Sequence, residues 1–319
     1  MQEFEVIKKY FLKLSKNNRS ALNLNDDVFF DKSNKLVVSV DTYVEGIHFV
    51  DFKKPDLVIK KIIRSSISDL ICKGVKPKYY FISGSGNTKS FSKKNLRKIS
   101  NSLKQEQKKY NIFLCGGDTV VSKKISFTIV SLGFSEKIIK RNNARLDDNI
   151  YVTGNLGDSF AGLKILKKKI SVKNNIKKYF INKYYSPNLH LDLSSKLFTF
   201  ANTSIDISDG LIADLEKLIN NQKFSYKLFL DKIPISQNLE NLIKSKNLDK
   251  KFFISKGDDF EILFTANTSK SRIIHNISKS LGIKISKIGK ICSSNQKSQV
   301  IDQKSNVIAI KDKGYSHNF

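Results

Sequence analysis

Alternating hydrophobic and polar positions predict strands in the first half of the chain. Residues 36–44, LVVSVDTYV, alternate and are rich in β-branched side chains, as is typical of strands. Residues 79–83 and 124–134 are also predicted as strands. Residues 112–119, IFLCGGDT, predict a short strand that runs into a glycine-rich turn.

A period of about 3.6 residues predicts helices between these strands. Residues 58–74 carry apolar side chains at 59, 62, 63, 67, 70 and 71, with Gly74 as the expected C-terminal cap and Pro77 beyond it. Residues 90–110 predict a second long helix, and the first eighteen residues predict an amphipathic one.

The second half mixes strands and helices in the same way. The polar segment 135–148 lacks a strong period, so we expect two domains, residues 1–137 and 138–319. The pattern predicts a fold of the α/β (α+β) class, with mixed sheets and flanking helices. The predicted elements are strand, glycine turn and helix in 149–166; helix, strand, turn and helix in 194–219; a strand in 224–233; two short strands around an acidic turn in 251–266; a helix in 273–283; and strands in 284–291 and 299–310.

The composition is that of a folded globular chain. Hydrophobic residues make up 40% of the 319 residues, and no window approaches the ~18 apolar residues that cross a membrane. The N-terminus lacks the apolar core of a signal peptide. Cys72, Cys115 and Cys292 are odd in number and far apart, which argues against disulfides and suits a reducing cytosol. We therefore expect a cytoplasmic protein without a membrane partner.

The net charge of +28 suggests nucleic acid as one possible partner. The lysines are scattered through every segment, however, and no recognition motif organises them. A basic surface that attracts phosphorylated small molecules is at least as consistent with the sequence. We therefore expect no nucleic-acid partner; steeply salt-dependent binding to DNA or RNA would favour the alternative.

Carboxylates collect at predicted strand ends, although the chain has only 29 acidic residues against 57 lysines and arginines. The stretches are NDDV (25–28), SVDT (39–42), GGDT (116–119), DISDG (206–210) and KGDDFE (256–261), with Asp69 on a helix. Each alone is explained by turn hydrogen bonds or helix caps. Asp41 and Asp206 are harder to explain because they interrupt β-branched strands, where Asp is disfavoured.

Together, the carboxylates predict a cation site, because clustered carboxylates repel one another unless cations compensate them. Oxygen ligands suit Mg²⁺, whereas the four histidines lack zinc-site spacing. The glycine turn in 153–163 offers backbone N–H groups to an anion. In GSGNTKS (84–90), Thr88 stands where a P-loop requires glycine, so we expect an ordinary loop. The clustered carboxylates and the glycine turn together predict magnesium-dependent nucleotide chemistry.

The motifs NDDVFF, VSVDTYVEGIHF, SISDLICKGVKP, FLCGGDTV, YVTGNLGDSFAGL, IDISDGLIADL and KGDDFEILFT resemble, in order and spacing, the thiamine-monophosphate kinase family. Its superfamily also contains aminoimidazole ribonucleotide synthetase and selenophosphate synthetase. The resemblance implies direct transfer of the γ-phosphoryl group of ATP to thiamine monophosphate, with several Mg²⁺ ions and no catalytic acid, base or nucleophile. It also implies a cytoplasmic homodimer that pairs through its N-terminal sheets.

The resemblance also assigns site residues position by position. The implied metal ligands are Asp27, Ser39, Val40, Asp41, Asp69, Asp118, Asp206 and Asp209; the ATP contacts are Tyr110, Gly117, Asp118, Arg141 and Ser208; the substrate contacts are His48, Asp258, Tyr315 and Phe319. Val40 replaces a threonine, so only its carbonyl is available as a ligand. Asp258 replaces a glutamate and is one methylene shorter.

The nearest alternative is another ATP-dependent enzyme of the superfamily with a different acceptor. Selenophosphate synthesis is disfavoured because the first cysteine is Cys72. A member that binds ATP without turnover is disfavoured because the central carboxylates are retained.

Overall fold

A computed structural model describes residues 3–16 and 18–317 and contains two mixed β-sheets with flanking helices. The predicted fold class is confirmed. The first sheet has the order β1-β2-β5-β3-β4, and only β3 and β4 are parallel. Its strands are β1 (Phe29–Asp31), β2 (Leu36–Val44), β3 (Pro77–Gly86), β4 (Phe113–Val121) and β5 (Ser126–Phe134).

The second sheet has the order β11-β8-β10-β6-β9-β7, and only β11 and β8 are parallel. Its strands are β6 (Asn149–Thr153), β7 (Thr203–Asp206), β8 (Phe224–Phe229), β9 (Ile262–Ala266), β10 (Ile285–Ser293) and β11 (Gln299–Ile301). The first sheet ends at Phe134 and the second begins at Asn149, so the expected boundary at 137/138 falls between them and stays a prediction.

The described part of the chain contains these α-helices: α1 (Glu3–Val6), α2 (Pro55–Cys72), α3 (Lys93–Tyr110), α4 (Asp158–Leu166), α5 (Asn174–Tyr185), α6 (Leu191–Leu197), α7 (Leu211–Leu218), α8 (Gln237–Lys246), α9 (Lys250–Ile254) and α10 (Ser271–Leu281). Single turns of other helix types are a π-helical turn at Ile7–Phe11 and 3-10 turns at Leu12–Ser15, Arg19–Leu24, Leu230–Lys232 and Thr268–Lys270. None of the described helices has the length and hydropathy needed to span a bilayer.

Helix α2 is the central element of the molecule. Pro55 occupies its first turn, where a fixed φ and a missing N–H are tolerated. The predicted end is confirmed, because Gly74 adopts a φ of 84° just beyond the helix. The helix packs on β2 and β5 and, on its other side, on β7, α5 and α6. One hydrophobic cluster therefore continues from the first sheet into the second half.

Four local predictions are wrong, wholly or in part. The expected turn at GGDT is strand: a bulge opposite Tyr80 and Phe81 lets β4 run on to Val121. The first of the two strands expected in 251–266 is α9, which Asp249 caps by accepting from the Lys251 N–H at 2.9 Å. In GSGNTKS, residues 84–86 belong to β3. Of the expected strand 299–310, only 299–301 and a single bridge from Ile301 to Val307 form.

The N-terminal helix is broken into α1, a π turn and a 3-10 turn. None of the residues described in these three segments is buried. A short helix that buries no apolar face gains little from packing and is marginal alone. Lys16, with a φ of 48°, ends the segment.

Candidate active site

The carboxylates of Asp41, Asp69 and Asp206 converge where the first sheet, α2 and the second sheet meet. Ser39 and Asp41 share one face of β2, and the Ser39 hydroxyl donates to the Asp69 carboxylate on α2. Asp206 is the last residue of β7, which packs against α2. We call these three aspartates the buried triad. The side chain of Val40 points to the opposite, exposed face of β2.

Burial dominates the electrostatics of the buried triad. It raises the pKa of Asp41 to about 7 and that of Asp206 to about 6. Burial also raises the pKa of Asp69 well above its ordinary value, and the charges of Asp41 and Asp206 raise it further. One oxygen, Oδ2, of both Asp41 and Asp206 is buried without a hydrogen-bond partner. These two oxygens are therefore available as ligands for a cation.

The donor set fits Mg²⁺ shared with a phosphate ligand. Among the described residues, no group of three or more His, Cys, Asp or Glu side chains is arranged so that it could hold a metal ion by itself. Mg²⁺ does not require such a group, since it is commonly held by one or two carboxylates together with substrate phosphates. The unpartnered oxygens of Asp41 and Asp206 are hard ligands of this kind.

A second acidic group lies in the loop before β1 and is already paired. Lys73 Nζ lies 2.7 Å from Asp26 Oδ1 and 2.9 Å from Asp27 Oδ2. Arg141 Nε donates to Asp27 Oδ2 at 3.2 Å, and its Nη2 contacts Asp27 Oδ1. We call Asp26, Asp27, Lys73 and Arg141 the paired group.

The loop after Asp206 is held by a carboxylate that the sequence analysis passed over. Asp214 Oδ2 accepts from the N–H groups of Asp209 at 2.9 Å and Gly210 at 3.0 Å. Neither Ser208 nor Asp209 makes the hydrogen bond that caps α7; the N-cap residue is Gly210, with a φ of 138°. The Asp209 carboxylate pairs with Lys217, which also lies 3.0 Å from Asp214.

The segments that contain Asp258 and Tyr315 form backbone hydrogen bonds with this loop. The Asp258 N–H donates to the Ser208 carbonyl at 2.9 Å, and the Tyr315 N–H donates to the Asp209 carbonyl at 3.0 Å. The approach at Gly257 is so close that a Cβ there would lie 1.7 Å from the Ser208 oxygen. Ser208 and Asp209 therefore meet Asp258 and Tyr315, which are distant from them in sequence.

The expected substrate contacts His48, Asp258 and Tyr315 lie on one side of this loop. The buried Lys61 bonds Asp258 Oδ1 at 2.7 Å and lies 4.1 Å from the Tyr184 ring centre. The His48 ring lies 5.6 Å from the ring of His317, which stacks edge-on against Tyr315 at 5.0 Å. Burial lowers the pKa of His48, and the charge of His317 lowers it further. Phe319 lies outside the described residues.

Comparisons with known proteins identify the family of the chain. Residues 24–135 match the family described as AIR synthase related protein, N-terminal domain. The thiamine-monophosphate kinase of Buchnera aphidicola subsp. Acyrthosiphon pisum (strain APS) is 35% identical over 99% of this chain and 98% of that relative. That of Haemophilus influenzae is 32% identical over 91% of this chain and 89% of its own. The chain belongs to the thiamine-monophosphate kinase family.

Solved structures support the same assignment. The structure described as AaThiL complexed with AMPPCP and TMP has a TM-score of 0.85 at 25% identity and covers 99% of this chain and 97% of that one. The HypE–HypF complex has a TM-score of 0.75 at 15% identity over 96% of this chain and 99% of that one, a likeness of fold alone. The resemblance read from the sequence is therefore confirmed at the level of family and fold.

Two nucleotide positions implied by the family, Gly117 and Asp118, lie apart from the buried triad. Both are on β4, an edge strand whose nine residues are all exposed, and β3 and β5 separate β4 from β2. Tyr110 is buried, with its ring 5.6 Å from the guanidinium of Arg64. The ATP roles of these residues stay predictions.

The glycine turn before α4 is not open to an anion, contrary to expectation. Its N–H groups at Gly157 and Ser159 donate to the Asp259 carboxylate at 2.7 and 3.3 Å. Asp259 thus occupies the helix N-terminus that we expected to receive a phosphate.

The sequence analysis missed the lysines that pair with these acids. Lys61 and Lys73 are almost completely buried, and Lys217 holds two aspartates. The position of Lys61 could have revealed its partner. Lys61 lies within the apolar helix α2, where burying a charge without a partner is costly.

Proposed function

We propose that this thiamine-monophosphate kinase family member transfers the γ-phosphoryl group of ATP to the phosphate of thiamine monophosphate, giving thiamine diphosphate, with several Mg²⁺ ions. The observation that carries this proposal is the buried triad, in which Asp41 and Asp206 each offer an unpartnered oxygen to a cation. The related structure with AMPPCP and TMP supports the choice of donor and acceptor. The cytoplasmic location and the lack of nucleic-acid and membrane partners belong to the same proposal.

The residues present match the needs of in-line phosphoryl transfer, which depends on positioning and charge neutralisation. Bound Mg²⁺ supplies the positive charge that allows two phosphate groups to approach. Asp41, Asp69 and Asp206 would hold it, and Ser208 would face the nucleotide. The acceptor monoester has a second pKa of about 6, so it is largely ionised at neutral pH and needs no general base.

The acceptor side is formed by His48, Asp258 and Tyr315. The Asp258 side chain is 31% exposed although Lys61 holds one of its oxygens. A partly open carboxylate favours the cationic thiazolium ring of thiamine monophosphate. Tyr315, 47% exposed, offers an aromatic face to the same ligand. The substrate contact that the family resemblance implies for Phe319 remains part of the proposal.

The reaction is tested by an assay with ATP, Mg²⁺ and thiamine monophosphate, followed by chromatography of thiamine diphosphate. We expect product from thiamine monophosphate and none from unphosphorylated thiamine, because the acceptor atom is a phosphate oxygen. ATP hydrolysis without thiamine diphosphate would favour another enzyme of the superfamily. Salt-sensitive binding to RNA or DNA with no ATP turnover would favour a nucleic-acid-binding protein.

We also propose that the chain is a homodimer that pairs through β4. This edge strand exposes Phe113, Leu114, Val120 and Val121. An exposed apolar edge with free backbone groups is a template for pairing with another strand. A second copy of the chain, placed against this edge, would extend the sheet and bury Gly117 and Asp118 near the nucleotide.

Val120→Lys is expected to give a monomer with strongly reduced kinase activity, because a lysine on the edge blocks strand pairing. Val307→Lys is the matched control, since the two valines are 52% and 61% exposed but only Val120 lies on β4. Light scattering after size-exclusion chromatography measures the mass. A wild-type monomer, or a Val120→Lys dimer, would contradict the proposed interface.

A further inference from the structure

Lys73 follows α2 directly and is completely buried. Its ammonium group lies 2.7 Å from Asp26 Oδ1 and 2.9 Å from Asp27 Oδ2, and it donates to the Ser204 carbonyl at 2.9 Å. A lysine ammonium has three donors, and three acceptors surround this one. Lys73 is therefore a fixed charge that joins the loop before β1 to strand β7.

Arg141 completes the compensation of the two aspartates. Its guanidinium contacts both oxygens of Asp27, and its backbone N–H donates to Asp26 Oδ2 at 2.9 Å. Every carboxylate oxygen of Asp26 and Asp27 thus has a nitrogen partner. Two carboxylates are matched by two protein cations, and none of their oxygens is without a partner.

The buried triad is compensated differently. Within the described chain, no lysine or arginine nitrogen forms an ion pair with Asp41, Asp69 or Asp206. Asp41 and Asp206 each keep a buried Oδ2 without a partner. The two acidic groups therefore differ: Asp26 and Asp27 are paired directly with Lys73 and Arg141, whereas the charge of Lys73 acts on Asp69 and Asp206 without an ion pair and leaves two oxygens of the triad available to a cation.

We propose that Lys73 is a positioning residue that takes the place of a metal ion at the Asp26–Asp27 pair. Divalent cations then bind at the buried triad and not at Asp27, in contrast to the ligand role that the family resemblance implies for Asp27. The identity of the metal rests on the proposed function. The pairing of Asp26 and Asp27 with Lys73 and Arg141 does not depend on which metal binds.

The test counts Mn²⁺ ions, added alone, by the electron paramagnetic resonance signal of free Mn²⁺. Asp27→Asn is expected to bind as many ions per chain as the wild type, whereas Asp41→Asn is expected to bind one fewer. Both variants change a carboxylate to an amide of the same shape. Loss of an ion from Asp27→Asn would overturn the proposal.

Lys73→Met provides the converse test, because it keeps an unbranched buried side chain and removes the charge. It is expected to bind one more Mn²⁺ per chain than the wild type, whereas Lys73→Arg binds the wild-type number. A purely structural role for Lys73 would lower stability in Lys73→Met without changing the count, and that result would overturn the proposal. Should Lys73→Met not fold, the comparison of Asp27→Asn with Asp41→Asn still decides.

These counts use neither ATP nor thiamine monophosphate, so the two proposals fail separately. The expected counts without kinase activity would refute the proposed function and support the role of Lys73. Kinase activity together with an ion lost from Asp27→Asn would support the function and refute the role of Lys73.

Discussion

Asp41→Asn is expected to lower the rate of thiamine diphosphate formation by at least about 100-fold, the usual effect of removing one preorganised charged group from an active site. Asp41 has a buried oxygen without a partner, and the amide keeps the shape of the side chain but cannot neutralise a cation. Less metal would then be held against the phosphates. Steady-state kinetics at saturating ATP and Mg²⁺ measure the change in kcat.

The same substitution is expected to stabilise the metal-free protein. Burial raises the pKa of Asp41 from 3.8 to about 7 in the folded state. The unfolded chain therefore loses this proton near pH 4, whereas the folded chain keeps it until about pH 7. Fewer protons are bound to the unfolded state in that window, so the free energy of unfolding falls as pH rises from about 4 to about 7. An asparagine cannot ionise and avoids this loss.

The expected gain at pH 8 is on the order of 2 kcal/mol, since each pKa unit corresponds to about 1.4 kcal/mol and buried charges relax partly in practice. Near pH 4 the wild type and the variant should unfold at similar urea concentrations. Urea unfolding in EDTA at the two pH values measures the difference. With saturating Mg²⁺ the order should reverse, because the wild type binds one more ion than the variant and gains more from bound metal.

Glu136→Gln is the control, since it makes the same chemical change on the surface. The Glu136 side chain is 79% exposed and pairs only with Lys35, and exposed ion pairs contribute little. Its activity and stability should match the wild type. Near-full activity of Asp41→Asn would show that Asp41 is not a metal ligand, and wild-type stability of the variant at pH 8 in EDTA would show that Asp41 is not a buried charge.

The sequence predicts most elements that a single period defines. Strand β2 was predicted with its observed bounds, and Asp41 and Asp206 were singled out because they interrupt apolar strands. Helix α2 has a clear period and a glycine stop, and it was found to within three residues at its start and two at its end. These signals are local, so one stretch of chain contains them entirely.

Long-range contacts account for what the sequence did not reveal. Lys73 looks like a lysine near a helix C-terminus, and only the fold brings it to Asp26 and to Ser204, which is 131 residues away. Similarly, nothing near Gly157 indicates that Asp259 fills the turn before α4. The residue types at the site were predictable, whereas their pairing depends on which strands and helices meet.

At Gly116 and Gly117 the local turn rule gives the wrong structure, because the neighbouring strand β3 determines the backbone conformation. Two glycines followed by Asp and Thr predict a turn, yet they continue β4, with φ values of 151° and 157°. A Cβ at Gly117 would lie 1.8 Å from the Ile82 carbonyl oxygen. Glycine is required here for the close approach of β3, and no property of residues 112–119 reveals that approach.

Gly257→Ala is expected to lower both stability and turnover, because the loops of the site cross at this residue. A Cβ at 257 would lie 1.7 Å from the Ser208 oxygen and 2.7 Å from Asp209 Cα. Both are backbone atoms, so no side-chain rotation relieves the overlap. The two segments must separate, which breaks the 2.9 Å hydrogen bond from the Asp258 N–H to Ser208.

We expect a loss of about 2–4 kcal/mol in the free energy of unfolding, the range of strong packing defects. We also expect a fall in kcat of at least about 100-fold, because a shift near 1 Å at remote positions has this effect on aligned phosphoryl groups. Urea unfolding and the thiamine diphosphate assay measure the two quantities.

Gly282→Ala separates steric overlap from backbone strain. Gly282 has a φ of 62°, but a Cβ there would meet nothing within 4 Å. Its substitution should cost about 1 kcal/mol through the left-handed backbone alone and leave kcat unchanged, since α10 lies outside the site. If Gly257→Ala behaved like Gly282→Ala in both measurements, the backbone at Ser208 would move aside for the added Cβ with little cost. The alignment of Ser208, Asp209 and Asp258 would then have to come from the bound ligands rather than from the chain.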